Sequence, residues 1–122
     1  IRQAHTIEIE LHCRHFEESV LTDNLKLMLF RIFQEQLNNI LRHSEASHMH
    51  ITFESDAEYV LLMINDDGKG FDTTTHKKGR GLSNISSRAN LMNGKMDIKS
   101  SPGNGCTLSI SIPILDVEKG TI

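Results

Sequence analysis

The stretch EYVLLMI, residues 58–64, limits the possible folds more than any other part of the chain, because it is the most continuously apolar run in the sequence. It reads as a strand apolar on both faces, which needs cover from neighbouring elements. It is followed at once by NDDGKGFD, residues 65–72, where two adjacent carboxylates and two glycines stand in a place that needs only one or two turn residues. The remaining pattern supplies the neighbours. TIEIELH and HMHITFE alternate at period two, and SDAE between HMHITFE and EYVLLMIND is short enough for a hairpin turn. KMDIKS and CTLSISIP form a second hairpin, joined by SPGNG, whose Pro and Gly suit a turn. Helical spacing predicts a long helix over about 24–43, capped by Thr22 or Asp23, and a short one from about Leu82 to Met92 that ends at NG. Asp72 to Arg80 is polar and glycine-bounded, a loop or lid, and residues 114–122 read as a tail.

The chain has 122 residues, 38% of them hydrophobic, which fits a single domain spanning 1–122. A formal charge of −3 with Lys and Arg scattered gives no field for a phosphate backbone, so nucleic acid is not an expected partner. Cys13 and Cys106 are too few for a disulfide framework and lack zinc-site spacing, which points to a reducing, cytoplasmic compartment. No run approaches the eighteen or so apolar residues of a membrane span, and membrane contact is not expected. The chain opens on Ile1 rather than Met, which suggests a piece cut from a longer protein, monomeric by itself.

The long helix carries the first chemical signal. At 100° per residue, Arg31, Glu35, Asn38, Asn39 and Arg42 fall within about a third of the circumference, and Leu25, Leu29, Phe33, Leu37, Ile40 and Leu41 take the rest. A solvated face is the plain reading of such a stripe. Two asparagines weigh against it, since a solvent face with no other role is better filled by Glu, Lys or Gln. A Glu and an Asn one turn apart also suit a hard cation such as Mg²⁺ and a positioned water.

The glycines of the opening stretch let the backbone turn sharply and approach a ligand closely. Asp66, at the end of a buried strand, is costly there unless its carboxylate meets a donor. An EF-hand frame with Gly70 at its sixth position leaves Lys69 and His76 where carboxylates belong, which rejects calcium. GxGxxG is absent and the GK at Gly94 runs into Met96, which rejects both phosphate-loop readings.

Taken in order, QEQLNNILRH, DDGKGF, GRGLSNISSR and SPGNGCTLSISIP resemble the N box and successive glycine boxes of the histidine-kinase catalytic domain. That domain belongs to the ATPase superfamily shared with gyrase, Hsp90 and MutL. The resemblance covers roughly Leu25 to Pro113. Each motif is weak alone, and four in this order are strong.

The resemblance implies a two-layer α/β sandwich, with a mixed, mainly antiparallel sheet covered on one face by helices, that binds ATP with Mg²⁺. Asn39 would ligate Mg²⁺, Glu35 would orient or deprotonate the reacting group, and Arg42 and His43 would contact phosphate. Asp66 would accept the adenine amine, with Gly68 and Gly70 giving the base its room and Asp67 acting as a spacer. Gly79, Gly81 and Leu82 would wrap the phosphates, with Lys78 reaching the γ-phosphate beside Lys77 and Arg80, and Thr107 would line the adenine pocket. The lid between Gly70 and Gly79 is short, and Phe71 is its one candidate for a phenylalanine box. In this family the phosphate goes to a histidine on a separate dimerisation domain and then to a response regulator, and the acceptor histidine is expected to lie outside residues 1–122. Nor does the spacing of His43, His48 and His50 match a familiar zinc signature. The alternatives are a serine kinase of the anti-sigma type, a plain ATPase, or a nucleotide-binding interaction module with no transfer activity.

Overall fold

A computed structural model describes residues 6–15, 21–74 and 82–114. Five strands and two helices make up these segments: β1 (Glu8–Arg14), α1 (Asp23–Asn39), β2 (His48–Ser55), β3 (Tyr59–Asp66), α2 (Leu82–Leu91), β4 (Lys95–Ser100) and β5 (Cys106–Pro113). The sheet order is β1-β2-β3-β5-β4. Every pairing is antiparallel except β1 with β2, which is parallel. The apolar run thus lies at the centre of the sheet, as its two apolar faces require.

Alternation decides which side chains enter the core. Val60, Leu62 and Ile64 of β3 and Leu108, Ile110 and Ile112 of β5 are completely buried on the face that carries the helices. Leu25, Leu29 and Ile32 of α1 and Ile85 and Ala89 of α2 close over them. Leu61 and Met63 on the opposite face are only half-buried. Helices therefore cover one face of a mixed, mainly antiparallel sheet, the expected two-layer α/β architecture.

Thr22 caps α1, its hydroxyl oxygen accepting from the Leu25 N–H at 3.1 Å. The α-helical part is shorter than its hydrophobic period predicts. It ends at Asn39 and passes into a π-helical turn, Ile40–Ser44, closed by Glu45 in the left-handed region. There the Ser44 hydroxyl donates to the Ile40 carbonyl at 2.8 Å, and the wider turn changes the angular position of every later residue. Leu41 points to solvent at 55% exposure, contrary to its expected place on the apolar side, because the buried stripe runs through Leu25, Leu29, Ile32, Gln36 and Ile40 and Leu41 lies well round the helix from it. At the end of α2, Asn93 takes the left-handed conformation and the Gly94 N–H donates to the Ala89 carbonyl at 2.7 Å.

Candidate functional site

The end of β3 and the last turns of α1 meet over a cleft lined by Gln36, Asn39, Asp66, Gly70, Phe71 and Cys106. Asp66 is 3% exposed, and its Oδ1 accepts from the Gly68 N–H at 2.8 Å. That donor answers part of the desolvation cost of a buried carboxylate and fixes its orientation. Gly68 is obligatory at this approach, since a Cβ there would run into the Ser44 carbonyl and the Asp66 carboxylate. The same Ser44 carbonyl accepts from the Lys69 N–H at 2.8 Å, which ties the π turn to the loop after β3. From the other side Gly105, with φ +68°, brings its backbone so close to the Asp66 carbonyl that any side chain would collide. Asp66 is thus held between two close backbone approaches.

Across the cleft, the Asn39 side-chain nitrogen donates to Gln36 Oε1 at 3.0 Å. This commits the nitrogen of Asn39 and leaves its carbonyl oxygen as the atom suited to a hard cation, so the donor chemistry at Asn39 fits Mg²⁺. Gln36 is 3% exposed on a helix whose buried positions are otherwise apolar. Gln36 falls outside the polar stripe, one turn from both Ile32 and Ile40, so helical spacing places it on the buried side although its residue type is polar. Glu35, half-buried, lies beside it on α1, Arg42 is exposed, and His43 is half-buried on the π turn.

Leu82 lines the cleft at the first residue of α2. Lys77, Lys78, Gly79, Arg80 and Gly81 lie outside the described residues.

Thr107 and Asp67 make contacts away from the cleft. Strand alternation turns Thr107 to the other face of the sheet, where its Oγ1 accepts from Asn65 at 2.7 Å, and brings Cys106 to the cleft instead. Asp67 is more than a spacer: its Oδ1 accepts from the N–H groups of Ser47 at 2.8 Å and His48 at 2.9 Å, and its Oδ2 lies 2.8 Å from His48 Nδ1. These bonds, the His48 N–H first among them, bring the Asp67 carboxyl down to about 2. The hydrogen bond from Asp67 in turn raises His48 above the usual imidazole value, with Glu8 adding to it. Asp67 therefore anchors the start of β2 while its neighbour Asp66 faces the cleft.

With this geometry in place, comparison with known proteins is decisive. Residues 24–116 match the family described as histidine kinase-, DNA gyrase B- and HSP90-like ATPase. The chain belongs to this family. It is 39% identical over 97 residues to the signal transduction histidine-protein kinase/phosphatase DegS of Brevibacillus brevis, covering 79% of this chain and 25% of that protein. It is 36% identical over 109 residues to the sensor histidine kinase ComP of Bacillus subtilis, covering 87% of this chain and 14% of that protein. The chain thus spans a quarter or less of these two relatives. Among solved structures, the blue-light activated histidine kinase of Erythrobacter litoralis superposes with a TM-score of 0.71 at 16% identity, over 96% of this chain and 37% of that one. The histidine kinase AdeS of Acinetobacter baumannii also gives 0.71, at 18% identity, over 92% and 56%. Those two likenesses concern the fold. The curated relatives and the family match together make this a histidine-kinase catalytic ATP-binding domain.

Proposed function

We propose that the cleft between α1 and the end of β3 binds Mg²⁺-ATP and presents its γ-phosphoryl group to a histidine on a separate dimerisation domain of a longer sensor kinase, which passes it to a response regulator. The observation that carries this reading is Asp66, a buried carboxylate facing a cleft, flanked by backbone too close for any side chain and opposed by the amide pair Gln36 and Asn39. Asp66 accepts the exocyclic amine of adenine, and Gly68 and Gly70 admit the base. Asn39 holds the metal through its carbonyl oxygen, and Glu35, one turn earlier on α1, orients or deprotonates the reacting group. Arg42, His43, Lys78, Gly79, Gly81 and Leu82 belong to the phosphate end. Magnesium bound there would neutralise charge on the phosphates, and the protein's own share of the work is positioning.

Calorimetric titration of the 122-residue chain with ATP and with GTP, each with and without Mg²⁺, tests the reading. ATP is expected to bind more tightly with Mg²⁺ than without, and GTP poorly. Equal affinity for the two nucleotides would remove Asp66 from the adenine site.

A further inference from the structure

The parallel pairing of β1 with β2 has a chemical consequence on the sheet face away from the helices. It sets Glu8 opposite His48, Glu10 opposite His50 and His12 opposite Thr52. Alternation turns the side chains of Glu8, Glu10, His12, His48 and His50 to that outer face, whereas Met49 and Ile51 are buried on the other. Glu10 Oε1 then lies 3.2 Å from His50 Nδ1 and 3.3 Å from His12 Nε2. One ligand atom from each of the three residues falls within 4.8 Å of the others, and the two imidazole rings stack with centroids 6.2 Å apart and 8° between planes.

A tetrahedral ion with bonds of about 2.0 to 2.1 Å sets its ligand atoms roughly 3.3 Å from one another. Both contacts made by Glu10 Oε1 match that edge length. We propose that Glu10, His12 and His50 form a binding site for a divalent transition-metal ion of the zinc class, with water completing the coordination. Two imidazole nitrogens and one carboxylate favour Zn²⁺, Ni²⁺ or Cu²⁺, and they disfavour Mg²⁺ and Ca²⁺, which take oxygen ligands. The site is therefore chemically and spatially separate from the magnesium site proposed at Asn39, on the helix-covered face.

The neighbouring group does not offer the same arrangement. His48 Nδ1 faces Asp67 Oδ2 at 2.8 Å and His48 Nε2 faces Glu8 Oε1 at 3.2 Å, so both ring nitrogens are already engaged by carboxylates. At Glu10 the numbers are reversed, two imidazoles around one carboxylate oxygen. An ion there would tie β1, a strand exposed along its whole length, to β2. Binding to the folded form alone stabilises it by mass action, so occupancy should be visible as resistance of this edge strand to unfolding.

The test uses the untagged 122-residue chain, stripped with EDTA and titrated with ZnCl₂ by calorimetry, with thermal melts in parallel. One zinc per chain is expected, with a melting temperature that rises with zinc and returns on adding EDTA, and with no competition from millimolar Mg²⁺. His12→Ala and His50→Ala should each weaken zinc by tenfold or more, while His48→Ala leaves it nearly unchanged. CoCl₂ added to the wild-type chain should give the intense visible bands of a four-coordinate nitrogen and oxygen site, a readout that does not depend on any variant folding. Absence of zinc binding, binding indifferent to His12 and His50, loss of binding in His48→Ala, or only the weak bands of octahedral cobalt would each overturn the site and leave Glu10, His12 and His50 as a hydrogen-bonded surface group.

Discussion

Asp67 grips His48 at two places, accepting from its backbone N–H at 2.9 Å with one oxygen and meeting its ring Nδ1 at 2.8 Å with the other. The pair should give stability a defined pH window. The carboxyl is brought down to about 2 in the fold, against about 3.9 in an unfolded chain. Its contribution is therefore complete above pH ~4 and fades as the pH falls towards about 2. His48 is raised from 6.5, so its contribution is complete below that value and fades as the pH climbs through its higher folded value. Both groups are exposed, which keeps the effect modest. In EDTA-containing buffer, Asp67→Asn should move the ring-proton titration of His48 downward and flatten the acid limb of the denaturation profile. An unmoved His48 titration would show that the contact does not persist in solution.

Adenine recognition depends on the atom that Asp66 presents. An amide at this position offers a donor as well as an acceptor, and a mismatched buried polar group costs about 1 to 3 kcal/mol. Asp66→Asn should weaken ATP by that amount, roughly 5- to 150-fold, without lowering affinity for GTP to the same degree. Parallel titrations with the two nucleotides make the comparison, and equal losses for both would point to a general disturbance around Gly68 and Gly105.

The two asparagines of α1 should behave differently. Asn39 lines the cleft with its amide nitrogen committed to Gln36, whereas Asn38 is exposed. Asn39→Ala should remove most of the magnesium-dependent part of ATP affinity while leaving the far-ultraviolet circular dichroism unchanged. Asn38→Ala should do much less. ATP titrations of both variants with and without Mg²⁺ are the check, and indistinguishable results would mean that the wrong asparagine has been chosen.

The strands were legible because each buries one face or two, and alternation reports that directly. KMDIKS and CTLSISIP became β4 and β5 with the expected ends. What could not be read depended on geometry that propensity does not encode. The buried stripe of α1 runs through Leu25, Leu29, Ile32, Gln36 and Ile40, so Leu41 surfaces, and Gln36 occupies a core position that its polar residue type does not announce. A slip of one residue moves a side chain to the opposite face of a sheet, and this separates Thr107 from Cys106. The parallel partnership of β1 with β2 brings together His12 and His50, residues 38 positions apart that no local spacing connects. Motif order singled out Asp66 and Asn39, which line one cleft, while the close approaches of Ser44 to Gly68 and of Gly105 to Asp66 needed three dimensions.

Transfer of phosphate needs a nucleophile held in line, about 3 to 3.5 Å from the γ-phosphorus. His12, His48 and His50 are placed on the outer face of the sheet, and Asp66 and Asn39 face the cleft on the helix-covered side, so the sheet stands between those three imidazoles and the nucleotide site proposed there. The chain incubated alone with γ-labelled ATP should therefore bind nucleotide without labelling His12, His48 or His50, and His43, assigned to phosphate contact, is expected to stay unlabelled as well. Adding a dimerisation domain from the parent protein should produce an acid-labile, base-stable phosphate on that domain's histidine. Glu35→Ala should then lower the transfer rate more than it lowers ATP affinity, because a group that orients or deprotonates the acceptor acts in the transition state rather than in ground-state binding. Single-turnover transfer set against an ATP titration separates the two effects. A label of the same acid-labile kind on residues 1–122 would place the acceptor inside this chain and assign Glu35 to an internal reaction.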